Sequence, residues 1–399
     1  MMKFTLFLLI CLLVSVGVGA FTSQVPITSI RQNAQLVETT PRKSNGRSLI
    51  RPPSTRMAAE KITEIPETYP IGRKKLIQKA REIDPSLKAG NTSGSYSTVG
   101  WSNRLGTVLT PAAIPGVYTA CRPFLWNTID VGCRMTVIEL STRTKSDKPD
   151  LFVHSPVLLD NPLKEALAKL GTVKHVISPN YEHVKFAKMW GEAFPEAKMW
   201  GCPGMMECEP EVNWTGEIPF SARPPSYESA SSSPKPAPVE GMWDWEEIQP
   251  LHFDTEVNPF TGRAFFNEVV FYHTASKTLM TTDTYWNYPK EDGVTNSNYE
   301  DMEDFKSNDY GSWELAPALD GIPIGSRLWK KGMDKLFKPF YLNLMVKNDK
   351  KDEFKDIALF ISGIGNGGWD VETIIPAHGD LVRGSSEFTK SVLKKHFNL

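Results

Sequence analysis

This sequence has almost no net charge and few cysteines. Its 399 residues carry 45 Lys and Arg against 46 Asp and Glu, a formal net charge of -1. Proteins that bind nucleic acid usually present a basic face, so this balance argues against nucleic acid as a partner and leaves only a local patch open. Five cysteines in so long a chain are too few for a disulfide scaffold. Cys202 and Cys208 are spaced too widely for a zinc knuckle, so we interpret the thiols as structural or incidental.

Motifs for nucleophilic and phosphate-binding sites are missing as well. No Gly-x-Ser-x-Gly sequence marks a nucleophile elbow. The Gly-rich stretch GIGNGGW at 363–369 follows a helix-like segment, whereas a phosphate-binding loop follows a strand. No internal repeat is visible. The remaining candidates for chemistry are ionisable side chains on separate loops.

The first 57 residues have the composition of a targeting sequence. Residues 1–20 contain Lys3, an apolar run and small residues up to a VGA cleavage site, which predicts a signal peptide. Residues 21–57 are rich in Ser, Thr and Arg and hold one acid, Glu38, which is typical of a transit peptide. With Phe21 at the cleavage point, the two parts resemble the bipartite plastid presequence of algae with complex plastids. The resemblance implies a mature protein of the chloroplast stroma without a transmembrane segment; the alternative is a secreted protein.

The rest of the chain mixes strand and helix patterns. Residues 58–114 are polar and read as an N-terminal extension, and 115–399 carry the pattern of one domain. Residues 124–140 alternate and are rich in β-branched side chains, which predicts strands. Residues 221–241 are rich in Pro and Ser, which predicts a disordered insertion. Two blocks of strands with helices predict an α/β sandwich, in which two mixed sheets pack face to face with helices on the outer faces.

Three loops that follow apolar strands carry ionisable side chains. SPNYEH contains Glu182 and His183, TTDTYW contains Asp283, and PAHGD contains His378 and Asp380. Each group directly follows a strand and therefore lies at a sheet edge, where a scaffold can hold a site rigidly.

The order of elements and these loops resemble the metallo-β-lactamase superfamily over 115–399. The family's first motif, His-x-His-x-Asp-His after a strand, falls on Ser178, Asn180, Glu182 and His183. Its bridging Asp and its last His fall on the other two loops. More closely, SPNYEHVKFAKMWGEAFPEAKMWG, NEVVFYHTASKTLMTTD and IIPAHGD resemble an uncharacterised plant, algal and cyanobacterial branch of the superfamily, which carries a domain of unknown function.

The resemblance implies that the first metal site of the family is lost. Two of its histidine positions hold Ser178 and Asn180, and the third has no counterpart, since His252 lies in a different strand context. The positions of the second site all keep side chains that bind metals. They imply one zinc, iron or manganese ion, or no metal at all, with Glu182, His183, Asp283 and His378 as the candidate ligands.

Two functions are compatible with these positions. The first is a metal-dependent hydrolase of an ester, thioester or phosphoester, which uses one metal to generate hydroxide. The second is a non-catalytic plastid protein that binds a small molecule or a protein partner in the remnant cleft. Glu268 and His273 offer no competing site, because five residues along one strand place them on opposite faces.

Overall fold

The computed structural model describes residues 109–399 except for 113, 123, 127–128, 145–146, 160, 228–235, 289–328, 366 and 380. The predicted signal peptide, the transit peptide and residues 58–108 of the extension lie outside the described residues. Among the described helices, none has the length and hydropathy needed to span a lipid bilayer.

The first half of the described chain builds one large sheet and its crossover helices. Its elements are β1 (Thr110–Pro111), β2 (Val117–Arg122), β3 (Leu125–Trp126), β4 (Ile129–Asp130), β5 (Cys133–Glu139), β6 (Asp150–His154), α1 (Asn161–Leu170), β7 (Thr172–Ser178), α2 (Ala187–Ala193), β8 (Lys198–Gly201), α3 (Met205–Cys208) and β9 (Gly216–Glu217).

Seven of these strands pair in the order β1-β2-β5-β6-β7-β8-β9, while β3 and β4 form a separate hairpin. Pairing is antiparallel from β1 to β6 and parallel from β6 to β9. Parallel neighbours need a long crossover, and α1 and α2 supply it on either side of β7. The carboxyl ends of β6, β7 and β8 consequently lie at one edge of the sheet.

The second half builds a smaller sheet and the remaining helices. Its elements are β10 (Ile248–His252), β11 (Val269–His273), β12 (Thr278–Thr281), a helix with π-helical turns (Met333–Phe337 and Tyr341–Met345) around α4 (Lys338–Phe340), a 3-10 turn (Asn348–Lys350), α5 (Lys351–Ile361), β13 (Thr373–Pro376), β14 (Val382–Arg383) and α6 (Ser386–Phe397).

The second sheet has the order β10-β11-β12-β13-β14. All its pairs are antiparallel except β12 and β13, which run parallel, so that their carboxyl ends lie side by side. The short loop between β11 and β12 closes a hairpin at the opposite edge.

The apolar core occupies two layers. Between the sheets, Phe152 and Ile177 from the first sheet meet Phe271 and Met280 from the second. On the other face of the second sheet, Ile357 and neighbouring side chains of α5 and α6 cover β10 to β14. Helices α1 and α2 pack on β7. The predicted α/β sandwich with helices outside two mixed sheets is confirmed.

Two predicted boundaries are wrong. The domain begins before residue 115, because Thr110 and Pro111 pair with β2 and Leu109 is buried. Residues 222–227 of the predicted disordered insertion are packed: Ala222 lies in the core between the sheets, and Tyr227 lies in the core under α5. The Pro- and Ser-rich composition predicted disorder here, but such neighbours do not prevent single apolar side chains from packing. Residues 228–235 lie outside the described part of the chain.

His252 ties this segment to the second sheet. The ring is fully buried in β10, its Nδ1 accepts the Ser221 N–H at 3.1 Å, and its Nε2 lies 2.9 Å from Asn267 Oδ1. Since Nδ1 accepts, the ring here is neutral. Burial lowers the pKa of His252 from 6.5 to about 4. The third histidine position considered from the sequence is therefore structural.

This lowered pKa predicts an acid-sensitive contribution to stability. Between pH 6.5 and about 4 the unfolded state binds a proton at His252 that the folded state does not. The stability that the neutral His252 ring contributes to the fold is fully present above pH 6.5. It is lost as the pH falls from 6.5 to about 4. We expect the free energy of unfolding of His252→Gln to fall about 3 kcal/mol less than that of the wild type over the same range. Urea denaturation at several pH values measures both curves, and parallel curves would contradict the prediction.

Candidate metal centre

Loops from both sheets meet at one edge of the sandwich. The loops after β7, β12 and β13 all start at the carboxyl ends of strands. They are the three loops that the sequence predicts to carry ionisable side chains. Two main-chain hydrogen bonds join the β7 loop to the second sheet: the Tyr181 N–H donates to the Phe266 carbonyl, and the Val269 N–H donates to the Pro179 carbonyl. The edge is therefore a fixed junction between the two sheets.

Asn180 fixes the first loop and links it to the second. Its Oδ1 accepts the N–H groups of Glu182 and His183 at 3.1 and 2.8 Å, which closes a tight turn after the strand. Its Nδ2 donates to Thr282 Oγ1 at 2.9 Å and to Asp283 Oδ2 at 2.6 Å. Asn180, which stands where the family has a metal-binding histidine, is therefore a clamp between two loops.

Arg134 of β5 holds the third loop. Its guanidinium donates to the carbonyls of Pro376 and Gly379 at 3.0 and 2.5 Å. Gly379 adopts a φ of +91°, and a Cβ there would lie 2.2 Å from the Asn287 main chain. The PAHGD loop thus needs glycine after His378, which explains this part of the motif in physical terms.

Three ligand-type side chains converge between these loops. Asp283 Oδ2 lies 3.3 Å from His183 Nε2, and Asp283 Oδ1 lies 3.4 Å from His378 Nε2. The two Nε2 atoms lie 3.1 Å apart. One ligand atom from each residue falls within 4.8 Å of the others. Both rings are buried, while the Asp283 side chain keeps 16% exposure and marks the side from which solvent reaches the cluster.

The outer nitrogen of each ring has a fixed partner. His378 Nδ1 donates to the Gly132 carbonyl at 2.6 Å, and His183 Nδ1 lies 2.8 Å from Ser155 Oγ. Cys133 Sγ is 3.5 Å from both Ser155 Oγ and His183 Nδ1. Burial raises the pKa of Cys133 to about 12, so its thiol is a neutral neighbour. These contacts direct both Nε2 atoms towards Asp283.

The facing nitrogens need a proton or a cation between them. The carbonyl of Gly132 can only accept, so a neutral His378 presents a lone pair at Nε2 to His183 Nε2. Burial lowers the pKa of His378, but the hydrogen bond and charge of Asp283 outweigh burial, and the pKa is raised. For His183 burial prevails and lowers the pKa. A single shared proton or a metal cation satisfies this arrangement.

The distances between the two ring nitrogens, and from each nitrogen to its own oxygen of Asp283, are close to ligand–ligand distances around a tetrahedral cation. Two metal–nitrogen bonds of about 2.0–2.1 Å at a tetrahedral angle separate the nitrogens by roughly 3.3 Å. The observed separations are 3.1, 3.3 and 3.4 Å. Burial raises the pKa of Asp283, but the two imidazoles outweigh it and the pKa is lowered, so the carboxylate is ionised and ready to bind a cation.

Two aromatic rings line the cluster. Phe124 stacks on His183 with ring centroids 5.3 Å apart, and Tyr288 stacks on His378 at 6.4 Å. The ammonium of Lys185, an exposed residue, lies 5.4 Å from the centroid of Phe124. The rings exclude water from the imidazoles, which strengthens electrostatic interactions inside the site.

The order Ser155, His183, Asp283 also resembles a hydrolytic triad. Ser155 follows β6 with a φ of +55°, as a strained nucleophile would. However, Ser155 is fully buried, and its N–H donates to the Ile177 carbonyl. Its hydroxyl is closed off from solvent by the described residues and lies 2.8 Å from His183 Nδ1, so Ser155 orients His183 instead.

Comparisons with known proteins give one family model and several similar solved structures. A family model described as Domain of unknown function (DUF4336) matches residues 124–308. Similar solved structures include a metallo-β-lactamase from Hirschia baltica, with 10% identity and a TM-score of 0.37 over 73% of this chain and 97% of that chain. No curated protein sequence matches the chain.

Two further solved structures have comparable sequence identities and TM-scores. A putative diflavin flavoprotein from Nostoc sp. shares 12% identity, with a TM-score of 0.40 over 73% of this chain and 96% of that chain. A metal-soaked flavodiiron core from Synechocystis sp. shares 10%, with a TM-score of 0.41 over 73% of this chain and 61% of that chain. This likeness concerns the fold alone, so the chemistry rests on the residues of this chain.

Of the four predicted ligands, three converge in the described structure. Glu182 stays outside the group of converging ligand atoms, although it is adjacent to His183. Burial and the charge of Asp283 raise the pKa of Glu182 to about 7. Ser178 is fully buried, and its hydroxyl has no hydrogen-bond partner among the described residues. Sequence reasoning missed Ser155 and Gly132 because neither stands in a motif or close to its histidine along the chain.

Proposed function

We propose that this protein is a single-metal hydrolase of an ester, thioester or phosphoester. His183, Asp283 and His378 would hold the ion, and zinc, iron and manganese all accept this donor set. The observation that carries the proposal is the pair of imidazole Nε2 atoms, 3.1 Å apart, with one oxygen of Asp283 beside each. Three ligands also leave a position for water or substrate.

A bound divalent cation would supply Lewis acidity that lowers the pKa of water and polarises the scissile group. The protein's own residues perform the remaining tasks. Ser155 and Gly132 orient the two rings, and Asn180 holds the Asp283 carboxylate. Glu182 lies next to the cluster and outside it, where its carboxylate can accept a proton from water without competing for the ion.

Hydrolysis assays test the proposal. The protein would be loaded separately with zinc, iron(II) and manganese and assayed with p-nitrophenyl acetate, an acetyl thioester and bis(p-nitrophenyl) phosphate. We expect at least one metal form to hydrolyse one ester class, with activity lost after chelation and in His378→Ala. His273→Ala is the matched control, because this imidazole contacts Ser276 outside the cluster and should retain activity.

The same assays decide the alternative. A protein that binds one metal per chain but hydrolyses none of the three classes would favour a binding protein that uses the cleft. A protein that binds no metal and keeps its stability in His378→Ala would refute the metal site itself.

A further inference from the structure

A buried carboxylate holds the loop that presents Asp283. Glu268 precedes β11 and is 1% exposed. Its Oε1 accepts the Thr282 N–H at 2.6 Å, and its Oε2 accepts the Asp283 and Thr284 N–H groups at 2.8 and 2.7 Å. Three consecutive main-chain donors after β12 thus converge on one side chain from the neighbouring strand.

We propose that Glu268 is a positioning residue for the metal centre, acting through the main chain of Asp283; this inference rests on the proposed function. The three bonds fix the loop just where it turns the Asp283 side chain towards the two imidazoles. Asn180 then holds the same carboxylate from the opposite loop, through its bond to Oδ2. Asp283 is therefore fixed at both its main chain and its side chain.

The chemistry requires a carboxylate at this position. An ionised carboxyl group only accepts hydrogen bonds, so it satisfies three N–H donors at once. A glutamine would accept through one oxygen and turn its own N–H₂ group towards the remaining donors. Hydrogen bonds to a charged acceptor are also stronger, and they offset part of the cost of burying the charge.

The position of this charge also favours a cation. The buried Glu268 carboxylate accepts the Asp283 N–H, so the two carboxylates belong to neighbouring segments and their negative charges repel. A divalent cation at the histidine pair relieves this repulsion. Glu268 would therefore increase metal affinity both by geometry and by charge.

One other buried carboxylate, that of Asp150, provides a matched control for Glu268. Asp150 is 1% exposed and accepts the Thr144 N–H at 3.3 Å and the Thr144 hydroxyl at 2.7 Å. It stands at the start of β6, whereas Ser155 follows the end of this strand, so Asp150 lies away from the metal-centre edge. Asp150→Asn removes a loop-holding carboxylate without touching the site.

The experiment compares Glu268→Gln, Glu268→Asp and Asp150→Asn with the wild type. Competition with a chromogenic chelator measures zinc affinity, and amide hydrogen exchange of the metal-free protein follows residues 282–284. We expect Glu268→Gln to weaken zinc binding by about 10–100-fold and to speed exchange at these amides. Glu268→Asp keeps the charge on a shorter side chain. Its zinc affinity and exchange rates should lie between those of the wild type and those of Glu268→Gln. Asp150→Asn should change thermal stability while zinc affinity stays within about threefold.

Two outcomes separate this inference from the proposed function. If wild-type protein binds none of zinc, iron(II) and manganese, the proposed function fails, and exchange at residues 282–284 still decides whether Glu268 orders the loop. If the wild type binds zinc but Glu268→Gln binds it as tightly with unchanged exchange, the proposed function stands and the role of Glu268 is refuted.

Discussion

Replacing Asp283 with asparagine should lower metal affinity by more than about 100-fold, beyond the effect of losing a residue that only supports a ligand. Asp283 is the one carboxylate in the converging group, and each of its oxygens faces one imidazole. Asparagine keeps the shape but removes the charge that neutralises a dication. Elemental analysis and chelator competition on the purified variant measure the loss.

Asp370→Asn is the control for this substitution. Asp370 lies in the loop before β13, its side chain is 57% exposed, and it pairs with Lys277 at the surface. This variant should bind metal like the wild type. Equal affinity in Asp283→Asn would mean that the ion is held elsewhere.

Replacing Phe271 with alanine should destabilise the fold by about 3–5 kcal/mol. Phe271 is fully buried in β11 between the two sheets. Its ring centroid lies 5.6 Å from that of Phe152 and 5.9 Å from that of Trp243. Truncation leaves a cavity where side chains from both sheets meet, and neither sheet can move to fill it without breaking its strand pairing. Chemical denaturation measures the change.

Phe220→Ala provides the comparison on the same scale. Phe220 is 65% exposed, so its removal should change the free energy of unfolding by less than about 0.5 kcal/mol. A small loss at Phe271, similar to that at Phe220, would show that the two sheets do not share the packed core described above.

The sandwich was predictable because strand burial leaves a pattern in the sequence. The alternating, β-branched pattern of residues 124–140, which contains β5, is a local signal of this kind. The three loops were predictable because each polar group directly follows an apolar strand.

The support around the imidazoles left no such signal. Gly132 contributes a main-chain carbonyl to a histidine 246 positions away, and any residue has that carbonyl. Ser155 is one serine among many until the fold brings it to His183. Glu268 was set aside because its spacing from His273 along one predicted strand excluded a shared site. Its partners lie instead in the loop after the next strand, where spacing along the chain gives no signal.

The reduction from four ligands to three also has a local cause. Glu182 and His183 are consecutive residues in a tight turn around Asn180, so their side chains leave the main chain in different directions. Family position alone suggested that both would reach one ion. The turn geometry brings His183 to the cluster and leaves Glu182 beside it.

Anomalous X-ray diffraction from crystals of protein purified without chelators tests the central claim most directly. We expect one anomalous peak per chain, bonded to His183 Nε2, His378 Nε2 and an oxygen of Asp283, with Ser178 and Asn180 outside its coordination sphere. The absence of any peak after incubation with zinc, iron(II) and manganese, or a peak bound by other residues, would contradict the account.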